Sequence, residues 1–423
     1  MSSICFYFQV HQPLRLKRFS VFDIGKGESY FSEGSDDALD NLKILKKVAQ
    51  KCYLPANKTF LELLQKHPEF KISFSISGVF IDQLESDMPE VLESFKDLVK
   101  TGRVELLCET YYHSLSFIYS RDEFVRQVEL HRKKMKNIFG FEPRVFRNTE
   151  LIYNNHLAQE VEKLGFKGIL LEGADHILGE KSPNFVYRAK GTNDVKLLLR
   201  NYKLSDDISF RFSTHDWEEF PLDAGKFSTW ASAVNGSGDV INLFMDYETF
   251  GEHQWESTGI FNFLNDLPAA LLKHPDNNFV TPSEAIERYQ PREEVDVENF
   301  ASWADVERDL SAWLSNPMQH DAMKKLYELE KRVIASEDME LILDWRRLQT
   351  SDHFYYMCTK WFADGDVHKY FNPYDSPYEA FISYMNVLGD LKLRLKTTSK
   401  KNKSVKISNQ TRKGAKNDSK ARK

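Results

Sequence analysis

The sequence predicts an α/β protein in which helices cover a parallel sheet that curls into a closed or nearly closed barrel. Strand-like and helix-like segments alternate through residues 1–290, with short turns between them. About seven strand-like segments occur in this range, a count that favours a barrel over a doubly wound open sheet, which remains the alternative. A chain of 423 residues with 41% hydrophobic content is also large enough for a sizeable core.

The predicted strands share apolar runs or strict alternation. The first is an apolar, aromatic run, and the second alternates apolar side chains with serines. In order, the predicted strands are residues 4–10, 71–77, 104–108, 144–147, 168–171, 195–199 and 240–245.

Helices are predicted between these strands. Residues 40–51, 59–66 and 89–100 carry apolar side chains on one face. Ser120 and Glu123 have the spacing of a capping box at the start of another helix. Asn155 is the expected N-cap of the next helix, Gly165 follows its end, and Thr281 precedes a proline at the start of the last one.

The chain changes character after residue 290. Strand signals fade, and residues 306–314, 321–335, 340–347 and 378–395 have helical patterns. We therefore expect a barrel domain at 1–290 and a helical domain at 291–395 that packs on the barrel and contributes to its cleft. We expect the basic tail, 396–423, to lack regular structure, because it is polar and poor in apolar residues.

Charge narrows the possible partners. The formal net charge is −6, yet the tail is rich in lysine and arginine and has Asp418 as its single acidic residue. The rest of the chain is therefore acidic, which suits a neutral ligand and disfavours nucleic acid. We interpret the tail as a solvated extension, with polyanion binding as the alternative.

Other sequence features bear on compartment and cofactors. The four cysteines are scattered without a CxxC pair, so we expect reduced thiols. No apolar run reaches the roughly 20 residues that span a bilayer, and the first residues lack a secretory signal pattern. No glycine-rich phosphate loop follows a strand. We therefore expect a cytoplasmic protein with no membrane partner and no nucleotide cofactor.

Ionisable residues gather where the predicted strands end. In parallel barrels, functional sites lie at the carboxyl ends of the strands. His11 follows the first strand, Glu109 and His113 follow the third, Glu150 follows the fourth, and Asp246 follows the last. Two carboxylates on different strands suit glycoside hydrolysis, which needs no metal or cofactor. Acidic residues at strand ends are common, however. Taken alone, Glu150 or Asp246 is equally well interpreted as an acid that forms a salt bridge at the edge of the barrel.

Five short motifs in fixed order make the chain resemble glycoside hydrolase family 57. They occupy residues 11–13, 102–107, 146–150, 245–251 and 281–285. The resemblance spans residues 4 to about 290 and continues through the segments 302–308 and 312–316. It implies an incomplete seven-stranded (β/α) parallel barrel with a C-terminal helical region. It also implies that Glu150 is the nucleophile and Asp246 the general acid/base, with no metal.

The implied activity is retaining cleavage of α-1,4-glucosidic bonds in starch, glycogen or malto-oligosaccharides, as in an α-amylase. 4-α-Glucanotransferases and branching enzymes of the same family share the glycosyl-enzyme intermediate and remain alternatives. The third motif departs from the family, since many members have tryptophan and small residues where this chain has residues 146–149. This departure leaves the subfamily and the substrate length open.

Further residues are candidates for contact with the α-glucan: His11, Glu109, His113, Trp303, Asp305, Arg308 and His353. We expect His11 to bond a sugar hydroxyl and Trp303 to offer a face for stacking. The structural alternatives are a satisfied buried histidine, a tryptophan that packs helices, and a simple ion pair between Asp305 and Arg308. Glu248 and Glu252 are expected to support the fourth motif by hydrogen bonds.

Two other classes of protein are alternatives. A zinc-dependent deacetylase or mannosidase would draw ligands from His11, Asp246 and His253, but the chain has no His-x-x-x-His pair. A non-catalytic glycan-binding protein would not need both carboxylates. The oligomeric state is left open by the sequence.

Overall fold

The structure, a computed structural model, describes residues 2–31, 38–360 and 367–418. The chain divides into two compact units, one comprising Met1–Pro13 and Asn41–Ala312, the other Leu14–Asp40 and Trp313–Lys423. The first unit thus extends beyond the expected boundary at residue 290 and omits residues 14–40. The extension has a physical basis, because the segment after residue 290 pairs with the barrel through a short strand and through a bridge between Tyr153 and Ala301.

Strands occupy most of the predicted positions in the first unit. Those in its described part are β1 (Ser3–Val10), β2 (Ile72–Ile76), β3 (Val104–Leu106), β4 (Val145–Phe146), β5 (Gly168–Glu172), β6 (Val186–Ala189), β7 (Lys196–Arg200), β8 (Val240–Asp246), β9 (Asn278–Phe279) and β10 (Glu294–Val295). The order β3-β2-β1-β8 is parallel throughout, as is β4-β5-β7. All the predicted strands are present, and the parallel α/β barrel class is confirmed.

The two groups of strands form one curved layer. A parallel bridge between Cys108 and Phe146 joins the end of β3 to β4. On the other side, the backbone N–H of Asn201 donates to the carbonyl of Asn242 at 2.9 Å, and the Asn242 amide donates to the carbonyl of Leu199 at 2.9 Å. β7 therefore lies beside β8 without a regular ladder, and the seven strands enclose an incomplete barrel.

Three short strands were missed by the sequence analysis. β6 pairs antiparallel with β7 as a hairpin, β9 pairs with the start of β1, and β10 pairs with β6. The hairpin turn contains Gly191 at φ 76°, a left-handed conformation that glycine adopts without strain. The turn residues were a usable signal for a hairpin, but the strands on either side of the turn are too short to show a clear alternation of apolar and polar residues.

Side-chain alternation divides the strand residues between two cores. The interior of the barrel is filled from alternate strand positions: Tyr7, Leu107, Val145, Leu170, Leu198 and Phe244. The intervening positions face the surrounding helices, as Phe8 does against Phe60 and Phe146 does against Phe124. This alternation also decides which polar side chains reach the inside of the barrel.

Helices surround the barrel as predicted. They are α1 (Asn41–Val48), α2 (Leu54–Lys66), α3 (Gly78–Asp87), α4 (Pro89–Lys100), α5 (Ser116–Tyr119), α6 (Arg121–Phe139), α7 (Asn155–Lys163), α8 (Asp175–Leu178), α9 (Tyr202–Ser209), α10 (Ala224–Ser232), α11 (Ile260–Leu272), α12 (Pro282–Arg288) and α13 (Ser311–Leu314). The Ser120 hydroxyl accepts the N–H of Glu123, which confirms that N-cap. The cap of α7 is Asn154 and not Asn155, because Asn154 has the extended backbone and accepts the N–H of Leu157.

The second and fifth motifs meet at the start of α12. Glu105, on β3, accepts the N–H of Ser283 at 2.8 Å and its hydroxyl at 2.5 Å. A buried carboxylate thus satisfies donors at a helix N-terminus. These two motifs support the fold here.

The second unit is helical in its described part. Its helices are α14 (Pro317–Tyr327), α15 (Glu330–Ile334), α16 (Met339–Arg347), α17 (Asp352–Tyr355), α18 (Val367–Phe371) and α19 (Pro377–Asp418). Residues 14–31 bond to α19 and to the loop before it, since Tyr30 donates to Asp390 at 2.6 Å and Tyr374 donates to the carbonyl of Leu16 at 2.8 Å. The predicted helix at 306–314 is wrong except for its last turn.

The basic tail differs from expectation. The helix α19 continues through it to Asp418, where the sequence suggested an irregular segment from residue 396. The tail contains no proline, and lysine is a good helix former, so its polar composition did not exclude a helix. Residues 419–423 lie outside the described residues. Over the parts of the chain that the structure describes, no helix combines the length and apolar character needed to cross a membrane.

Candidate active site

The site is built by side chains that continue the interior face of the barrel strands. Two positions beyond each interior apolar residue, at the carboxyl end of the strand, stands a polar or charged residue: Gln9, Glu109, Arg147, Glu172, Arg200 and Asp246. The strand pleat therefore places these side chains above the apolar core of the barrel. Glu109 and Asp246 were predicted from the sequence as site residues, whereas the other four residues of this layer were not.

Glu150 is held in a strained and well-bonded position. It lies in a short turn, Thr149–Leu151, with φ 57° and ψ 28°. Non-glycine residues in this left-handed region are uncommon, and they occur often at functional sites. His113 Nε2 lies 2.8 Å from one carboxylate oxygen, and Trp303 Nε1 donates to the other at 2.7 Å. Both oxygens of Glu150 are thereby oriented.

His113 links the two carboxylates predicted near it. Its Nδ1 lies 2.8 Å from Glu109 and its Nε2 contacts Glu150, while the ring is buried. Burial disfavours the charged imidazole, but the two carboxylates outweigh this effect and raise its pKa to about 9. His113 is therefore an imidazolium at neutral pH, and it also has a positive φ of 51°.

Glu109 is the second hydrogen-bond partner of His113. It is fully buried, and Gln9 Nε2 donates to it at 3.1 Å. Burial alone would raise its pKa, but the hydrogen bond and charge of His113 lower the pKa to about 2. Glu109 thus orients His113, and its contact with the substrate stays a prediction.

The environment of Glu150 favours its ionised form. Burial opposes ionisation, yet the hydrogen bond and charge of His113 hold the pKa of Glu150 below its usual value. The charge of Arg147 and the N–H of Trp303 act in the same direction.

The surroundings of Asp246, at the end of β8, favour its protonated form. Burial, together with the charge of Glu150, raises its pKa to about 7, although Arg147, His113 and Arg200 lower it in part. Two carboxyl groups of one site thus differ in protonation near neutral pH. Such a difference is the usual basis for assigning separate acid and base roles.

Glu248 and Glu252 support the fourth motif as predicted. Burial and the nearby Asp246 raise the pKa of Glu248 to about 8, and Tyr53 donates to it at 2.5 Å. Glu252 forms an ion pair with Lys47 at 2.6 Å. Sequence analysis did not identify Tyr53, which lies on a distant helical segment.

A cluster of two arginines and two carboxylates lies beside Asp246. Glu172 accepts from Arg200 at 3.1 Å and from Arg308 at 3.0 Å, and both guanidinium groups also pair with Asp206. The structural alternative for Arg308 was an ion pair with Asp305, whereas the structure pairs Arg308 with Glu172 and Asp206. Glu172, Arg200 and Asp206 are new members of the site, which no motif indicated.

Trp303 occupies the centre of this arrangement. Its indole N–H bonds Glu150, while the guanidinium carbons of Arg147 and Arg200 lie 4.9 and 5.6 Å from its ring centroid. These are cation–π distances. The stacking role predicted for Trp303 toward a sugar is not tested, but its contacts with the protein show that it orients Glu150.

The remaining predicted residues are placed differently. His11 bonds Ser77 at 2.6 Å, and its ring stacks on His113 with centroids 4.0 Å apart. Asp305 follows Trp303 in the first unit with a positive φ of 56°. His353 belongs to the second unit, where its ring packs 5.8 Å from that of Tyr384. The substrate contacts of all three stay predictions.

The zinc alternative has no support in the described residues, where no three His, Cys, Asp or Glu side chains converge in a geometry suited to a metal ion. This includes the set of His11, Asp246 and His253 considered from the sequence.

Comparison with known proteins agrees with this geometry. A model of "Glycosyl hydrolase family 57" matches residues 5–298. A curated protein of Methanocaldococcus jannaschii, described as "Putative alpha-amylase", is 46% identical over 93% of this chain and 85% of its own length. An alpha-amylase of Pyrococcus furiosus is 21% identical over 59% of this chain. The chain spans only 19–40% of the length of the curated relatives other than the M. jannaschii protein.

Solved structures show the same fold. A GH57-type branching enzyme from Pyrococcus horikoshii superposes with a TM-score of 0.66 at 15% identity, over 90% of this chain and 88% of that one. A 4-alpha-glucanotransferase from Thermococcus litoralis gives 0.63 at 16% identity, over 84% and 56%. With five ordered motifs, a matched family model and this barrel in agreement, the chain belongs to glycosyl hydrolase family 57.

Proposed function

We propose that this protein is a retaining glycoside hydrolase that cleaves α-1,4-glucosidic bonds of starch, glycogen or malto-oligosaccharides, with Glu150 as nucleophile and Asp246 as general acid/base. The observation that carries the proposal is the contrast between the two carboxyl groups. Glu150 accepts hydrogen bonds from His113 and Trp303 that favour its anion, whereas the half-buried Asp246 has a pKa of about 7.

The contrast suits a double-displacement reaction. In the first step a Glu150 oxygen bonds to C1 of the sugar, the C1–O glycosidic bond breaks, and Asp246 gives its proton to the leaving oxygen. In the second step Asp246 takes a proton from water, the water oxygen bonds to C1, and the bond from C1 to Glu150 breaks. The anomeric configuration is retained, and both side chains return to their starting states.

Charge balance at the site supports this assignment. The anionic members of the cluster are Glu109, Glu150, Glu172 and Asp206, and the cationic members are His113, Arg147, Arg200 and Arg308. These charges cancel when Asp246 is protonated. A buried site with balanced charges is far less costly than one with a net charge, so the protonated acid is the favoured resting form.

The decisive experiment combines product analysis with trapping. NMR of early products from maltoheptaose should show the α-anomer first, and a fluorinated glycosyl donor that slows the second step should label Glu150 in a peptide map. Asp246→Asn should lower turnover at least about 100-fold, while Glu142→Gln, which changes an exposed acid paired with Lys136, should not. A β-anomer product, or a label on another residue, would rule the assignment out.

Transfer is the second candidate, since relatives named 4-alpha-glucanotransferase match part of the chain. Water and a sugar hydroxyl compete for the same intermediate. Products longer than maltoheptaose would indicate transfer, α-1,6 linkages would indicate branching, and only shorter products would indicate hydrolysis. A cytoplasmic location stays a prediction, supported by four buried cysteines that are all free thiols and testable by cell fractionation.

A further inference from the structure

Arg147 is an unusual residue for the inside of a barrel. Its side chain is completely buried, and its three guanidinium nitrogens have no hydrogen-bond partner among the described residues. It follows the interior residue Val145 by two positions, so the pleat of β4 places it in the layer of polar side chains above the apolar core of the barrel. A buried cation without partners is costly, and its presence requires compensation from nearby charge.

The groups around Arg147 come from several strands. Tyr7 of β1, Glu109 after β3, Glu150 after β4 and Asp246 of β8 all sense its charge. The ring of Trp303 lies over the guanidinium at 4.9 Å. Arg147 therefore attracts both reactive carboxyl groups without a hydrogen bond to either.

His113 is different, because its two ring nitrogens are committed to Glu109 and Glu150. Of the two reactive carboxyl groups, Glu150 is the one to which His113 is hydrogen-bonded. The reaction, however, moves the negative charge: Glu150 is the anion before the first step, and Asp246 is the anion once Glu150 has become an ester. The hydrogen bond of His113 to Glu150 cannot follow this movement, although the charge of His113 also acts on Asp246.

We propose that Arg147 is the counter-charge shared by Glu150 and Asp246, so that it stabilises the single negative charge of the pair in both halves of the reaction, while Trp303 keeps the guanidinium stacked and free of hydrogen bonds. The inference rests on the proposed function. Arg147 is a positioning residue in this scheme, since it acts through the two carboxyl groups and need not touch substrate.

The other charged or titratable groups near Asp246 bear on any pH readout. Glu150 and the neighbouring Glu248 favour its protonated form, and His113 and Arg200 favour its ionised form. All four remain when Arg147 alone is changed. The difference between the pH profiles of the wild type and the Arg147 variant therefore reports the effect of Arg147 on the two carboxyl groups.

The test uses Arg147→Met, Arg147→Lys and the control Arg144→Met, which removes an exposed arginine just before β4. Maltoheptaose requires proton donation in the first step, whereas an activated 4-nitrophenyl α-maltotrioside makes the second step limiting. Arg147→Met should change the rates of both steps by a similar factor, because the counter-charge is lost in both, and both limbs of the pH profile of kcat/KM should move to higher pH. Arg147→Lys should keep both limbs close to those of the wild type.

Three results would overturn the inference. The first is a pH profile of Arg147→Met whose limbs do not move, and the second is slowing of only one of the two steps in that variant. The third is a displacement of the limbs in Arg147→Lys as large as that in Arg147→Met. If Arg147→Met does not fold, as judged by circular dichroism, the limbs of Arg147→Lys still decide the matter. Failure of the proposed function is separately visible, because trapping would then not label Glu150 in the wild-type enzyme.

Discussion

The indole Nε1 of Trp303 donates a hydrogen bond of 2.7 Å to Oε2 of Glu150, across 153 positions of sequence. The backbone N–H of Trp303 also donates to the carbonyl of Glu150, at 3.2 Å. Two bonds from one residue thus fix the strained turn that carries the carboxylate. The segment beyond the fifth motif is therefore part of the machinery that orients Glu150.

Trp303→Phe removes the indole donor and retains an aromatic ring. A hydrogen bond to a charged group contributes about 1.5–3 kcal/mol, so kcat should fall roughly tenfold to a hundredfold with a smaller change in KM. The acid limb of the pH profile should move upward, because Glu150 loses a group that stabilises its anion. A rise in KM alone would favour the sugar-stacking role instead.

Activity should depend on pH through both carboxyl groups. Catalysis requires ionised Glu150 and protonated Asp246, so kcat/KM should be bell-shaped, with its alkaline limb near pH 7. In Glu150→Gln the negative neighbour is absent, and the pKa of Asp246 should fall. Infrared difference titration of the carboxyl band would measure this, and an unchanged value would show that burial alone sets the pKa of Asp246.

His113 should make stability depend on pH. Its pKa is raised from 6.5 to about 9, so the folded protein keeps a proton that the unfolded chain releases. The stabilisation is fully present below pH 6.5 and is lost as pH rises through 9. The difference in unfolding free energy between the wild type and His113→Asn should therefore shrink over that interval, as urea titrations at several pH values would show. A constant difference would argue against a charged imidazole.

Glu105 should matter for stability and not for turnover. Its carboxylate serves the N–H and hydroxyl of Ser283 at the start of α12. Glu105→Gln should destabilise the protein by about 1–2 kcal/mol in urea unfolding, with kcat unchanged well below the melting temperature. The exposed substitution Glu142→Gln should change stability by less than about 0.5 kcal/mol. A loss of kcat in folded Glu105→Gln would give the second motif a catalytic role.

Metal removal should have no effect. The proposed chemistry uses only Glu150, Asp246 and water, so activity after dialysis against a chelator should equal that of the untreated enzyme. Added zinc should not restore or increase it. A chelator-sensitive activity would revive the deacetylase or mannosidase class.

Much of the barrel could be predicted because its strands are buried on both faces. Apolar runs such as that of β1 are typical of strands in this setting, and the run ends at polar residues where the site begins. The β6 hairpin was missed because its strands are short, and the tail helix was missed because a polar composition does not by itself decide between helix and coil.

Site residues could be predicted where they belong to a family motif and could not be predicted elsewhere. Glu150 and Asp246 stand in motifs, whereas Glu172 and Arg200 end ordinary strands, and only the register of β5 with β7 sets them opposite each other. Arg147 lies inside the third motif, but its lack of partners is a property of packing, which depends on Trp303 far along the chain. Long-range pairing of this kind leaves no local pattern in the sequence.

The second unit is assembled from two widely separated pieces of chain, and this has a consequence for synthesis. As the nascent polypeptide leaves the ribosome, Leu16 and Tyr30 emerge well before their partners Tyr374 and Asp390, which lie 358 and 360 positions further along the chain. At about 5–20 residues per second, the early segment waits for many seconds while the barrel residues are translated. A chain that ended after the barrel would therefore lack the partners of this early segment.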